Sequence, residues 1–236
     1  VFDSGFFSAL LLTILWTAVN IILQLCIAFL VANLLNSPLI KRQKRVYETI
    51  LMFPWAMPGY VSILLWKTGM FNTQFGLLNS WVQKLGLEPQ RWLSSDVSAF
   101  ICCTVVNLWL ALPFMIMIMD GGLKSIDKCL YESATIDGAG KTKQAMVVTI
   151  PCLKPIIWPS VVITIFTTFK TFDVIYLMVL QTGSQTGAHI HTIITYAYEN
   201  AFITNNYGYS SAISIIIFVM LIAFYLSTNR RNKDDV

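Results

Sequence analysis

The chemistry available to this chain lies in polar residues set at helical spacing inside apolar runs. Thr164, Thr167, Thr168 and Thr171 recur at i, i+3, i+4 and i+7, which lines up their hydroxyls along one stripe of a helix. Asn107 stands in another apolar run with Trp109, Ala111 and Phe114, and Pro113 loosens the backbone beside them. Polar groups are costly in hydrocarbon and normally face a bundle interior or a wet cavity. Hydroxyl-rich rings exchange hydrogen bonds with Asn and Thr, while their apolar faces stack on aromatics such as Phe114 and Trp109. The threonine stripe has a second reading, helix–helix packing, for which threonine is common in membranes.

Other chemistries find no residues to carry them. No nucleophile, base and orienting partner occur together, so catalysis by this chain is not expected. Gly138-Ala139-Gly140-Lys141-Thr142 resembles the end of a phosphate-binding loop, but Thr135 stands where that pattern needs glycine and no strand precedes it. Cys26, Cys102, Cys103, Cys129 and Cys152 match no metal spacing, and His189 and His191 lack acidic neighbours at ligand-like spacing. No cofactor or metal is implied, and the cysteines are expected to be free thiols.

The elements that position these residues follow from composition. With 56% apolar residues, 12% charged and a mean hydropathy of +0.66, the chain is far from the roughly 25% charged content of soluble domains. Runs at about 6–35, 97–119, 155–180 and 208–228 each approach the ~20 residues that a helix needs to cross hydrocarbon. A fifth, 49–70, carries Pro54 and Pro58 and reads as a kinked span, with a re-entrant segment as the alternative.

Charge then sorts the loops. Lys41-Arg42-Gln43-Lys44-Arg45, the stretch with Lys124, Lys128, Lys141, Lys143 and Lys154, and the tail with Arg230, Arg231 and Lys233 alternate with loops holding only Lys84 and Arg91. The positive-inside rule makes the first set cytoplasmic, which puts the start of this chain outside and its end inside. The net charge of +4 reflects this orientation, and no basic stripe with interleaved aromatics points to nucleic acid. The chain opens on Val1 with no cleavable signal peptide in view, and an upstream first span is expected to be missing.

Between two of these runs lies a polar stretch with its own pattern. Leu123, Ile126, Leu130 and Ala134 define a helical face, Ser125 is the expected N-cap, and Gly138 and Gly140 can take the left-handed turn that closes a helix before Lys141. A short amphipathic helix and turn result, within a region spanning 123–151. A merely interfacial amphipathic helix is the alternative, against which its shortness and glycine turn argue.

Glu132-Ser133-Ala134, three residues, Gly138, nine residues, then Val148-Thr149-Ile150-Pro151 resembles the EAA motif of ATP-binding-cassette (ABC) importer permeases. Ser133 replaces an alanine of that pattern, Val148 an isoleucine and Ile150 a leucine, all conservative changes. Asp137-Gly138-Ala139, Phe172-Asp173-Val174-Ile175-Tyr176 and Tyr207-Gly208-Tyr209-Ser210-Ser211-Ala212 are similar to the sugar-importer branch, in particular to the larger permease subunit of maltodextrin-type systems.

The resemblance implies an all-α, polytopic transmembrane helical bundle of about five spans, a MetI-like permease core in a single membrane domain over 1–236, with a cytoplasmic coupling helix. Glu132, Ser133, Ala134, Asp137, Gly138, Gly140, Ile150 and Pro151 would couple to a cleft of an ATPase subunit. Asn107, Leu110, Ala111 and Phe114, with Thr164, Thr167, Thr168 and Thr171, would line the sugar site, although this chain has threonines where relatives carry asparagines. The implied partners are a second homologous permease, two ABC ATPase subunits and an extracytoplasmic solute-binding protein, in a bacterial cell membrane. The last would meet the outer stretches 71–96 and 181–207, where Thr182 to Gly187 reads as a flexible loop. Lys170 and Asp173 could pair on a helix near the outer end. Two other functions stay open: a permease for a solute such as glycerol phosphate, which would favour lysine or arginine in the path, and an ATPase-independent channel.

Overall fold

The computed structural model describes residues 3–37, 40, 42–180 and 188–234, with side chains through Thr228. Lys41, the loop from Thr182 to Gly187, and the side chains of Arg230, Arg231 and Lys233 lie outside the described residues.

The chain is helical throughout the described residues, without strands. In order, α1 (Ser4–Leu35), α2 (Lys44–Ala56), α3 (Gly59–Leu65), α4 (Leu77–Lys84) and α5 (Asp96–Ser125) precede α6 (Lys128–Ile136) and α7 (Lys141–Gln144). Then follow α8 (Ile150–Phe169), α9 (Asp173–Ile175), α10 (Ile193–Phe202) and α11 (Tyr207–Asp234). Wider π-helical turns occupy Trp66–Met70, Ala145–Thr149 and Tyr176–Leu180.

Among the described residues, four helical stretches are long and apolar enough to cross a membrane: Ser4–Leu35, Asp96–Ser125, Lys141–Phe169 and Tyr207–Thr228. The pair Lys44–Ala56 and Gly59–Met70 would make a fifth but is bent by 94°. The bend sits at Met57, not at Pro54. Steric conflict with a following proline pushes a residue out of the helical region, and Met57, just before Pro58, is extended at φ −83°, ψ 144°. Pro54 stays buried within α2. The break is close to a right angle, which fits either a broken span or the re-entrant segment.

The 155–180 run is also redrawn. Its helix begins at Lys141 and passes through the π turn Ala145–Thr149 into α8, where the Ile150 N–H bonds the Ala145 carbonyl. Pro151 has no N–H to continue the ordinary ladder, and a widened turn is one way a helix absorbs that loss. α8 ends at Phe169, and 173–180 form a separate piece. Lys170 and Asp173 consequently do not share a helix.

The chain divides into two compact units. One holds the residues up to Val19, Tyr60–Val106 and everything from Ile165 on; the other holds Asn20–Gly59 and Asn107–Thr164. In the first, Phe6, Ile193, Ala197, Ile213 and Ile217 form a buried core, and the Ser210 hydroxyl donates to the Ala197 carbonyl at 2.7 Å, stitching α10 to α11. Close-range packing and interhelical hydrogen bonds of this sort hold helices together where water exclusion is not the driving force. On α11, Ile215, Phe218 and Val219 are exposed, as an apolar surface facing lipid or another subunit would be.

The stretch 71–96 belongs to the same unit and is ordered by a single buried amide. Asn79, at 0% exposure, donates to the carbonyls of Asn72, Thr73 and Gln90 and accepts from the Gln90 N–H and the Trp92 indole at 3.0 Å each.

Candidate coupling site and solute path

The sequence between the second and third long apolar stretches folds into a helix and a locked turn. Helix α6 starts two residues later than the sequence pattern suggests, because Asp127, not Ser125, is its N-cap: the Asp127 carboxylate accepts the Cys129 N–H at 3.0 Å. That bond to a backbone N–H holds the Asp127 carboxyl below its usual value. Ser125 instead closes α5, its hydroxyl donating to the Gly122 carbonyl at 2.8 Å. The apolar face from Leu123 to Ala134 is thus divided between two helices.

The far end of α6 closes as a Schellman turn. The Ala139 N–H reaches the Ala134 carbonyl at 2.9 Å and the Gly138 N–H the Thr135 carbonyl at 3.0 Å, while Gly138 sits at φ +74°. A side chain at that dihedral costs roughly 1–2 kcal/mol, which explains glycine here. Gly140 plays a different part from the one expected: it is the N-cap of α7 at φ −66°, an ordinary dihedral. Gln144 then reaches back, its amide donating to the Thr135 hydroxyl and the Ala139 carbonyl at 2.9 Å each, and the Tyr131 and Thr149 hydroxyls meet at 3.0 Å.

This locked hairpin leaves an exposed surface. Glu132, Ser133, Asp137, Gly138, Gly140 and Pro151 are exposed and Ala134 is half-buried. Apolar side chains of the same hairpin are exposed as well: Ile136 is 86% exposed, Met146 65% and Ile150 52%. The structure therefore places the motif residues on one short, rigid segment and its continuation, with their side chains free to meet another molecule.

The polar residues of the long stretches separate instead. Asn107, Leu110, Ala111 and Phe114 share one face of α5 by spacing, and with Thr164 they fall in the second unit; Thr167, Thr168 and Thr171 fall in the first. Trp109, two positions from Asn107, points about 200° away around the helix and does not share that face. Thr171 lies beyond the end of α8, so the expected four-residue stripe is three residues of helix and one of the following turn. Thr164 and Thr168 are buried, whereas Thr167 is exposed. The Thr164 hydroxyl donates to the Ser160 carbonyl at 2.8 Å and the Thr171 hydroxyl to that of Thr167 at 3.0 Å.

Asn107 is buried and donates its amide to Asn20 at 2.7 Å. Asn20 belongs to a polar stripe on α1 that sequence reading passed over: Thr13, Thr17, Asn20 and Gln24, all buried, at successive spacings of four, three and four. The same periodicity test that found the threonines would have found it. Gln24 is 0% exposed and neither end of its amide meets a protein partner. A half-buried cation was also missed. Lys67, in the π turn after α3, donates to the Leu177 carbonyl in the π turn after α9, at 2.5 Å. His191 lies 3.3 Å from the Glu199 carboxylate, an acidic neighbour not anticipated from spacing, and among the described residues no three potential ligands converge on a metal site.

Residues 4–232 match the model of the binding-protein-dependent transport system inner membrane component family, and the chain belongs to that family. It is 32% identical over 97% of its length to the trehalose/maltose transport system permease protein MalF of Thermococcus litoralis, covering 76% of that protein. It is 31% identical over 99% of its length to the galactooligosaccharides transport system permease protein GanP of Bacillus subtilis, and spans only 56% of that relative. Of the Klebsiella aerogenes maltose/maltodextrin permease MalF, 30% identical, it spans 43%. A chain of a bacterial ABC transporter that imports the polysaccharide alginate shares the fold with a TM-score of 0.85 at 20% identity, over 99% of this chain and 80% of that one. The chain is thus a multi-pass, all-α membrane component of a family of transport permease subunits.

Proposed function

We propose that this chain forms part of the translocation path of an ABC importer for oligosaccharides such as maltodextrins, and passes the movement of a cytoplasmic ATPase to that path through α6. The observation that carries the reading is the exposed Glu132 on a helix fixed at both ends by hydrogen bonds, with Ile136, Met146 and Ile150 exposed on the same hairpin. A rigid element transmits displacement without absorbing it, and a hairpin that exposes both a carboxylate and apolar side chains suits a cleft offering a donor and apolar walls. Coupling is assigned to Glu132, Ser133, Ala134, Asp137, Gly138, Gly140, Ile150 and Pro151.

Solute contact is assigned to Asn107, Leu110, Ala111 and Phe114 with Thr164, Thr167, Thr168 and Thr171, and carbohydrate as the solute is supported by the transport systems named among the relatives. The chain works as one membrane domain, a reading supported by a family match running from residue 4 to 232. It pairs with a second permease, two ATPase subunits and an extracytoplasmic binding protein, and does not itself hydrolyse ATP. The basic segments flanking α6 face the cytoplasm. The ordered 71–96 stretch faces the binding protein, supported by its exposed Phe75, Trp81, Leu85 and Leu87.

The test is mild-detergent purification of the tagged chain, identification of co-purifying subunits, and ATP hydrolysis with sugar-loaded binding protein. Recovery of a permease and an ATPase whose hydrolysis rises with one sugar is the expected result; a chain isolated alone in several detergents would contradict it.

A further inference from the structure

Seven residues before the cap of α6, a carboxylate is buried at the junction of three helices. Asp120, in the last turns of α5, is 2% exposed. Its Oδ1 accepts from Lys44 Nζ at 2.7 Å and from Asn36 Nδ2 at 2.8 Å, and its Oδ2 pairs with Lys124 Nζ at 2.5 Å. Lys44 Nζ also donates to Asn36 Oδ1 at 2.8 Å, and Glu48 stands 3.8 Å from Lys44 and 3.7 Å from Lys124. Two ammonium groups thus meet two carboxylates, and the cluster is neutral. It joins the residue just past α1, the first turns of α2 and the end of α5, all within one unit. Close by, Gly122 lets α5 approach α8: a Cβ there would lie 2.7 Å from Leu153 Cδ2.

Stability alone is a poor reason for this arrangement. Burying the Asp120–Lys44 pair, whose side chains are 3% and 16% exposed, costs about as much desolvation as its attraction returns, the pair with the 52% exposed Lys124 adds little, and apolar residues of similar size would hold the helices at least as well. Charge-assisted bonds add a fixed geometry: the end of α1 and the start of α2 are each held at hydrogen-bond distance from one carboxylate on α5. Ser125 ends α5 and Asp127 caps α6, so a push on α6 is delivered to the helix end that carries Lys124 and Asp120.

We propose that Asp120, with Lys44, Lys124, Asn36 and Glu48, is an ionic clamp that makes the base of α6 rigid against α1 and α2, so that displacement of α6 moves the helices instead of being absorbed at the α5 end. Asp120 is a positioning residue for coupling. The inference rests on the reading of α6 as the ATPase-docking element.

The test uses the complete importer with its co-purified subunits in proteoliposomes, with maltotriose-loaded binding protein, and measures ATP hydrolysed and sugar transported. Two variants are compared: Asp120→Asn, which keeps shape and strands the lysines, and a fourfold change, Asp120→Leu, Lys44→Met, Lys124→Met and Glu48→Gln, which leaves no unpaired charge. Both are expected to retain the ATPase subunits and hydrolysis while sugar carried per ATP falls at least about fivefold, the lower bound of ordinary coupling between sites. A fourfold variant with the unaltered ratio would overturn the clamp and leave the cluster a matter of packing. Should Asp120→Asn fail to assemble, the fourfold variant decides alone. Failure of the unaltered chain to retain any ATPase would overturn the docking reading of α6 itself, an outcome visible before any variant is made.

Discussion

The hairpin from Asp127 to Thr149 and the polar interior around Asn107 solve opposite problems. In the hairpin the backbone is satisfied locally, by an Asp cap at one end and a Schellman turn at the other, so the side chains of Glu132, Ile136 and Ile150 remain free for an outside partner. In the interior the polar side chains are consumed by the protein itself: Asn107 by Asn20, Thr164 by the Ser160 carbonyl. Under the proposed roles, the docking surface shows its chemistry outward, whereas the solute path keeps its chemistry inside the protein.

Breaking the hairpin should have the largest effect. Open space surrounds the Cα of Gly138, with no atom within 4 Å of an added Cβ, so a substitution there strains the backbone without a clash inside the chain. Gly138→Arg is expected to abolish transport with the chain still inserted at normal levels. Gly138→Asn, a residue that tolerates the left-handed region, is expected to keep most of it. Equal loss in both would place the cost in the turn and not in the partner's cleft.

The interior should respond as a pair. Asn107→Leu or Asn20→Leu alone removes a hydrogen bond between two buried amides and is expected to cost about 1–3 kcal/mol of stability, and the double change less than the sum. Thermal unfolding in detergent reads both, and simple additivity would show that the Asn107–Asn20 bond is not made.

The smallest effect concerns the cap. The Cys129 N–H holds the folded pKa of Asp127 below the ordinary carboxyl value, so its contribution is complete above the unfolded value and lost as pH falls through the folded one. Amide exchange at Cys129 should therefore be insensitive to Asp127→Asn only at strongly acidic pH, after correction for the intrinsic rate. An equal effect at neutral and acidic pH would remove the cap from the account.

The legibility of the two regions differs for the same physical reason. Helix ends and turns are decided by a few neighbouring residues, and the Gly138 closure and the exposed EAA-like surface could be read directly. The Ser125 cap was misplaced because Asp127 competes two residues later. Long apolar stretches announce themselves by composition, yet their breaks depend on proline geometry: of the two prolines in 49–70, only Pro58 breaks the helix, through Met57, while Pro54 stays inside α2. The partner of Asn107 lies 87 positions away, and no local pattern encodes such a pairing. Lys67 escaped notice because its span is broken and its carbonyl partner belongs to another π turn.

The central claim is that α6 carries coupling through its exposed face. Its most direct test is sugar uptake and sugar-stimulated ATP hydrolysis by the reconstituted importer with Glu132→Ala in this chain. The account predicts that the variant inserts normally but loses uptake together with stimulated hydrolysis and holds the ATPase less tightly. Uptake and ATPase retention equal to the unaltered chain would contradict it.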